Sequence, residues 1–385
     1  MHAEQRARTR DLLKSKGVAA ALFASRASVT WLTGFAPAPQ VGVSFAAGGP
    51  PLVWYADGHF TLLVMESQVA DAAGFAAEPD GAVVAYEGAS IDTSLRGPIN
   101  LADLLAEVVA AAGVRAGKVG VEERDLPIAL WHALRDALPD RVALIAADGW
   151  LAPLRTVKTA EELVRLMDNF ALAGIGQAAA RRATRVGQRE IDVWSEAHAA
   201  IQRAAGERVP LGNDCVVGYR QNNVGGWPLN YPIRPHDSLI VDLSTIRYGY
   251  WSDGAATYYG GWPTERQAAM HRTVARALEL GISMIRPGAV AGEIDRAMRR
   301  FIADAGYPVY GHHSGHGVGV TSHEAPRIVP YSVEIIEADM VLMLEPGIYV
   351  PGETSVRLED AVLVTPTGAK RLTHHDKSLP IDSFR

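Results

Sequence analysis

The sequence predicts two domains: an α/β domain over residues 1–150 and an α+β domain over residues 151–385, the second made of two copies of one helix–helix–sheet unit. Three observations lead there. A chain of 385 residues is too long for a single hydrophobic core and comfortable for two. In the first 150 residues short apolar runs alternate with helical patterns, the signature of strands and helices in layers. Beyond residue 151 the same order of helices and β-rich runs occurs twice at nearly constant spacing.

Residues 1 to about 17 read as an amphipathic surface helix. The apolar runs that follow are Val18–Ala24, Val29–Leu32, Val41–Ala47, Leu52–Tyr55 and Val119–Val121, read as strands. Helical patterns cover Asn100–Ala112 and Pro127–Leu138. The early runs lie close enough for hairpins, so a mixed sheet is expected. No Gly-rich loop follows a strand, which leaves nucleotide binding unsupported. Arg26, Asp57 and His59 read as isolated surface polar residues. The pattern changes across Ala147–Lys158, where the domain boundary is placed.

Thr159 opens a helix with T-A-E-E, a capping box in which Glu162 reaches back to the cap; the helix runs towards Ala183. A second runs from Arg189 to Ala205. Thr264-Glu265 opens a third, and Gly292–Asp295 begins a fourth that ends near Ala305-Gly306. Glu190 and Glu293 are 103 positions apart, and Thr159 and Thr264 are 105 apart. Ser238–Tyr259 holds two β-rich runs joined by a turn near Arg247–Gly249, with one carboxylate in each, Asp242 and Asp253. The repeat carries these carboxylates with it: Glu345 lies 103 positions after Asp242, and Glu359 lies 106 after Asp253. Asp242 and Glu345 each follow a run of apolar residues, where a solvent-facing position is disfavoured. Four such carboxylates would repel by several kcal/mol without cations. One pair per half is the arithmetic of a two-metal site.

Between the pairs lies Tyr310–Pro326, Y-G-H-H-S-G-H-G-V-G-V-T-S-H-E-A-P, with four histidines. Such a cluster beside a carboxylate site points to function. His316 can supply a nitrogen ligand. Gly315, Gly317 and Gly319 would let the backbone approach metals or substrate. An oxygen-rich set with one imidazole suits Mn²⁺, Fe²⁺ or Co²⁺ better than a Cys/His zinc site. Two such metals can hold a bridging hydroxide ready for a carbonyl.

Composition narrows the class. A net charge of −6 without a Lys/Arg block argues against a nucleic-acid binder. The single Cys215 allows no internal disulfide and fits a reducing cytoplasm. The N-terminus is charged and lacks the apolar stretch of a signal peptide. No apolar run of about 18 residues is present, so neither a membrane-spanning helix nor a membrane partner is expected.

With these residues in place the chain resembles the Xaa-Pro peptidases, prolidase and aminopeptidase P, of the pita-bread metallopeptidases. That family orders its motif as an Asp, a second Asp eleven later, a His in H-G-x-G, another His seven later before an acidic residue, and two Glu. Here these are Asp242, Asp253, His316, His323 with Glu324, Glu345 in E-P-G and Glu359 in V-R-L-E-D. The resemblance covers the whole chain. It implies a creatinase-like N-terminal domain, a pita-bread catalytic domain and a homodimer. It implies two divalent metals, manganese first, with cobalt, zinc or iron as alternatives. Asp242, Asp253, His316, Glu345 and Glu359 would be the ligands, with Glu345 also the general base. His323 and His312 match histidines that stabilise the peptide and the tetrahedral intermediate. Arg327 matches the arginine that holds a dipeptide's carboxylate, which favours a dipeptidase. Arg357 matches another family arginine, in substrate binding or an ion pair.

One position departs. The family has a histidine about 17 residues before the first Asp, where this chain has Gly225. His236 reads as a turn residue; the missing imidazole leaves Asn222, Asn223 or Tyr219, the N-terminal domain or a second subunit as alternative hydrogen-bond donors. Hydrolysis of a small non-peptide amide, as by ectoine hydrolase, therefore stays open beside Xaa-Pro cleavage. Creatinase lacks the metal set, and the dimethylsulfoniopropionate lyase has an acidic residue where Ser244 stands. A non-catalytic pita-bread module is a third reading, disfavoured because such proteins lose ligands.

Overall fold

The computed structural model describes residues 2–36, 48–88, 90–92, 94–221 and 225–380. They fall into two compact units, Met1–Leu154 and Arg155–Arg385. The first contains α1 (Ala3–Ser15), β1 (Val18–Phe23), α2 (Arg26–Thr33), β2 (Leu52–Ala56), β3 (His59–Met65), α3 (Ala73–Ala76), β4 (Gly81–Tyr86), α4 (Gly97–Ala111), β5 (Gly117–Val121), α5 (Ile128–Ala137) and β6 (Val142–Ala146); α6 (Ala152–Thr156) spans the division. Its six strands form one mixed sheet in the order β4-β3-β2-β1-β5-β6. The antiparallel pairs are β1–β2 and β2–β3, and the others are parallel. Asp57 and Gly58, both at positive φ, close the β2–β3 hairpin, as a two-residue primed turn requires.

The run Val29–Leu32, expected as a strand, lies inside helix α2. Ser25 caps that helix by accepting from the Ser28 N–H, and Gly34 at φ 72° ends it. The buried Glu122 carboxylate accepts from the N–H groups of Ala24 and Ser25. A four-residue apolar run has no readable period, so cap chemistry decides it. The run Val41–Ala47 lies outside the described residues.

The second unit contains α7 (Ala160–Ala183), α8 (Glu190–Ala205), β7 (Leu211–Val217), β8 (Ser238–Arg247), β9 (Tyr250–Trp251) and β10 (Ala255–Tyr259), then α9 (Glu265–Met284), α10 (Ala291–Asp304), β11 (Gly315–Gly317), β12 (Glu324–Ile328), β13 (Val341–Leu344), β14 (Gly347–Val350), β15 (Thr354–Arg357), β16 (Asp360–Thr365) and β17 (Gly368–Arg371). A helix pair followed by sheet thus occurs twice. The same reciprocal cap starts both leading helices, Thr159 with Glu162 and Thr264 with Gln267. Strands pair as β10-β8-β7 with β9 on β8, as β12-β11-β13-β16-β17, and as β14-β15. Tyr248 and Gly249, at φ 56° and 76°, turn the chain back between β8 and β9. Apolar side chains of α9 and α10 pack with those of β13 and β16 in one buried cluster, which fixes the strands from whose ends Glu345 and Glu359 emerge. Among the described residues no helix is long and apolar enough to cross a membrane.

The buried imidazole of His271 is expected to contribute to acid sensitivity of this unit. His271 on α9 donates from Nε2 to the Lys377 carbonyl at 2.8 Å, and its Nδ1 lies 3.2 Å from the Tyr259 hydroxyl. Burial, helped by Arg181 and Arg272 and opposed by the Lys377 carbonyl, lowers its pKa from 6.5 to about 4. The unfolded chain therefore binds this proton first as pH falls, so stability is lost from pH 6.5 down to about 4. The loss is expected to reach about 3 kcal/mol. Urea unfolding at pH 7.5 and pH 5 checks it: His271→Gln should lose less on acidification than the parent, and equal losses would clear His271 of the effect.

Candidate metal centre

Asp242 stands midway along β8, opposite Ala255 of β10 in the antiparallel register. Asp253 sits in the link between β9 and β10, where Ser244 Oγ donates to its Oδ1 at 3.0 Å. Glu345 follows β13, its N–H bonded to the Ser314 carbonyl at 2.9 Å; Glu359 follows β15, its N–H bonded to the Ala255 carbonyl at 2.9 Å. These backbone bonds bring the carboxylates of the two halves to one cavity of about 400 Å³. His312, His313, His316 and His323 line it as well. Ligand atoms of Asp253, His316 and Glu359 lie within 4.8 Å of one another.

The donors fit divalent cations. Glu359 is 1% exposed, and its Oε2 is buried without a hydrogen-bond partner among the described residues. An orphaned buried carboxylate oxygen is costly unless a cation takes it. Burial and then the charges of Asp242 and Glu345 push the Asp253 carboxyl well above its usual range. Glu359 is pushed up likewise, by burial and then by Asp253, Asp242 and Glu345. His316 places Nδ1 2.8 Å from the Gly317 carbonyl. A carbonyl only accepts, so Nδ1 carries the proton and Nε2 keeps its lone pair. That lone pair lies 3.7 Å from Asp253 Oδ2 and 3.6 Å from Glu345 Oε1. Burial lowers the His316 pKa to about 3, which keeps the ring in the neutral form that ligates metals.

The remaining residues named from sequence fall at different depths. His312 is held neutral, its pKa lowered to about 4 chiefly by burial. Its Nδ1 donates to the His313 carbonyl at 2.7 Å, and its Nε2 lies 2.9 Å from the Tyr349 hydroxyl. The His323 ring stacks on His316 at 3.9 Å; burial and then His313 lower its pKa. Burial opposes ionisation of Glu345, but the His313 hydrogen bond outweighs it and holds the carboxyl below the usual carboxylate range. Arg357 is 2% exposed and bonded to Asp242, Asp214 and Tyr349. Arg327 pairs with His316 across β11–β12, is exposed, and has Nη1 3.5 Å from the Tyr331 hydroxyl.

Two ionisable cavity residues were not singled out from sequence, His313 and Asp214. His313 Nε2 lies 2.7 Å from Glu345 Oε1; its place in H-H-S-G-H was the available signal. Asp214 on β7 pairs with Asp242; like Asp242 it borders a buried apolar run, Cys215–Val217. Two expectations change, for the glycines and for Tyr219, while His236 is the turn residue expected. The glycines at 315, 317 and 319 admit neighbouring protein groups, not a ligand. An added Cβ would lie 2.0 Å from the Met343 carbonyl, 2.2 Å from the Ala325 carbonyl and 2.5 Å from Glu324 Oε2 respectively. Glu324 itself is tied to Lys158 Nζ at 2.7 Å, which anchors the strand after His323. Tyr219 packs its ring on Tyr231 and does not line the cavity; Asn222 and Asn223 lie outside the described residues. His236 is a turn residue at φ 68°, with Nδ1 2.6 Å from the Trp262 carbonyl.

The histidine loop is braced from α10. Ser314 Oγ donates to Asp295 Oδ1 at 2.6 Å, and Arg299, paired with Asp295, donates to the Tyr310 carbonyl at 2.6 Å. The loop is therefore preorganised by buried charge-assisted bonds.

Residues 170–366 match the metallopeptidase family M24, and residues 5–157 match the creatinase/prolidase N-terminal domain. The chain is 32% identical over 267 residues to an Xaa-Pro dipeptidase of Lactobacillus helveticus, covering 69% of this chain and 73% of that protein. It is 33% identical over 233 residues to an Xaa-Pro dipeptidase of Pyrococcus furiosus, covering 60% and 67%. Among solved structures, the prolidase of Pyrococcus horikoshii OT3 matches in fold with a TM-score of 0.82 at 24% identity, over 98% of this chain and 100% of that one. The prolidase from Pyrococcus furiosus matches with a TM-score of 0.78 at 25% identity, over 95% and 99%.

Proposed function

The chain belongs to metallopeptidase family M24, and from that premise we propose that it hydrolyses the Xaa-Pro bond of dipeptides at the carboxylate–imidazole cavity. The observation that carries the proposal is the convergence of Asp253, His316 and Glu359 beside the Oε2 of Glu359 that lacks a partner. A peptidase of this family works with divalent metals. Asp242, Asp253, His316, Glu345 and Glu359 would hold two of them, manganese first, with cobalt, zinc or iron as alternatives. Bound there, such cations polarise a carbonyl and make a water acidic enough to attack it.

The chain's own groups do the rest. Glu345 takes the proton of the attacking water as general base, and the imidazole of His313 at 2.7 Å fixes its carboxylate. Ser244 fixes the carboxylate of Asp253. Arg357 holds Asp242 in place. His323, kept neutral at pH 7, donates to a substrate oxygen, whereas neutral His312, whose one N–H is spent on the His313 carbonyl, accepts from the Tyr349 hydroxyl and orients it. Arg327 stands on the same sheet face as His316 and takes the free carboxylate of the dipeptide, a charge-assisted bidentate pair. Proline has no N–H to be read, so recognition rests on ring shape and the two chain ends. The setting proposed is a cytoplasmic homodimer with 151–385 as catalytic domain.

An assay of Ala-Pro and Ala-Pro-Ala with added Mn²⁺ tests this. Free proline from Ala-Pro, faster than alanine from Ala-Pro-Ala, is expected. No cleavage with Mn²⁺, Co²⁺, Zn²⁺ or Fe²⁺ would overturn it and favour the small non-peptide amide, for which the altered wall at Gly225 speaks.

A further inference from the structure

Asp214 on β7 lies directly opposite Asp242 on β8, so both carboxylates rise from one face of the sheet. Opposed like charges weaken a strand pair unless a cation joins them. Arg357 Nη2 does so, 3.0 Å from Asp214 Oδ2 and 2.8 Å from Asp242 Oδ2. The Gly226 N–H adds a bond to Asp214 Oδ1 at 3.0 Å. Held this way, the Asp214 carboxylate fills the volume of a side chain at position 225: a Cβ added to Gly225 would lie 1.8 Å from Asp214 Oδ2.

The imidazole expected at position 225 is thus replaced in space by a carboxylate from the neighbouring strand. The exchange has a chemical sign. An imidazole can donate a hydrogen bond, whereas a carboxylate only accepts. Arg357 Nη2 and the Gly226 N–H each take one acceptor direction of the Asp214 carboxylate, which leaves a further lone pair on both oxygens. Asp214 is 28% exposed and lines the cavity, so its free face is open to whatever enters. The group it selects must be a donor, and a cation is favoured over a neutral N–H. A dipeptide has one cationic group common to all its side-chain variants, the α-ammonium.

We propose that Asp214 reads the free α-ammonium of the dipeptide, a specificity-determining contact made from β7 in the space that Gly225 leaves open. It rests on the reading of the site as an Xaa-Pro dipeptidase. It makes a free N-terminus a requirement of binding and excludes N-acylated prolines.

The probe pair is Ala-Pro and propanoyl-proline, which differ only in the ammonium group. The readout is the ratio of their kcat/KM values in the Mn²⁺-loaded full chain, with metal content measured for every variant. Asp214→Asn keeps the shape and removes the charge, and Asp214→Ser is run beside it in case the first folds poorly. Each is expected to lower the ratio at least tenfold, chiefly through KM for Ala-Pro. Equal falls for both compounds, with or without metal loss, would show that Asp214 only braces Arg357 and Asp242, and the proposal fails; so does an unchanged ratio. Should the parent cleave neither compound, the dipeptidase reading fails separately. Calorimetric titration of the metal-loaded protein with the same pair then decides: tighter binding of Ala-Pro by the parent but not by Asp214→Asn sustains the proposal, and equal binding overturns it.

Discussion

Replacing Glu345 with alanine is expected to lower kcat/KM for an Xaa-Pro dipeptide by at least about 10³. Two losses compound. The carboxylate is the proposed proton acceptor for the attacking water, and general-base contributions run to about 10²–10⁴. It is also one of the proposed metal ligands, and the supporting contacts of a metal ligand alone are worth about 10–100-fold in affinity or activity. Its position makes substitution by a neighbour difficult. Glu345 is 8% exposed, its backbone is tied to Ser314, and its Oε1 lies 2.7 Å from His313 and 3.6 Å from His316. Steady-state kinetics with metal analysis separates the two roles. Glu345→Gln, which keeps the size and one ligand oxygen, should retain more metal than Glu345→Ala while remaining equally slow. Activity within tenfold of the parent in either variant would mean that another carboxylate is the base.

What could be read from sequence was what repeats or what caps. The T-x-x-E and T-x-x-Q boxes at Thr159 and Thr264 act within a single turn of helix, so their residues need no knowledge of tertiary structure. The spacing near 103 likewise places Glu345 and Glu359 without any model of the sheet, because a repeated unit sets its side chains in repeated places. Val29–Leu32 went the other way: too short to show a period, it became helix through Ser25 and the distant Glu122 carboxylate. Asp214 was hidden for a related reason. The apolar run beside it is a weak local mark, and its meaning arises from the β7–β8 register and from the absence of a Cβ at residue 225. The glycines of the histidine segment were legible as a need for close approach, but not for what approaches; strand carbonyls and Glu324 do.

Removing metal from the protein is expected to cost the second unit most of its stability margin. Asp214, Asp242, Asp253, Glu345 and Glu359 share one cavity with a single buried guanidinium, Arg357. Without cations, burial and mutual repulsion drive Asp253 and Glu359 towards their protonated forms, and each proton held that way is free energy withheld from the ionised site. Ligands that bind only the folded chain stabilise it by mass action, by about 4 kcal/mol per site at a thousandfold excess over Kd. Two sites would give about 8 kcal/mol, and a domain of this size shifts its Tm by about 2–4 °C for each kcal/mol. Calorimetric scans should therefore show Tm at least about 10 °C higher with excess Mn²⁺ than after chelation. The double variant Asp253→Asn, Glu359→Gln removes the repulsion and the ligands together. Its metal-free form should melt no lower than the metal-free parent, because two strained carboxyls are gone, yet Mn²⁺ should hardly move it. If Mn²⁺ stabilised parent and variant equally, the cations would be binding elsewhere on the chain, and the convergence of Asp253, His316 and Glu359 would need an explanation other than metal.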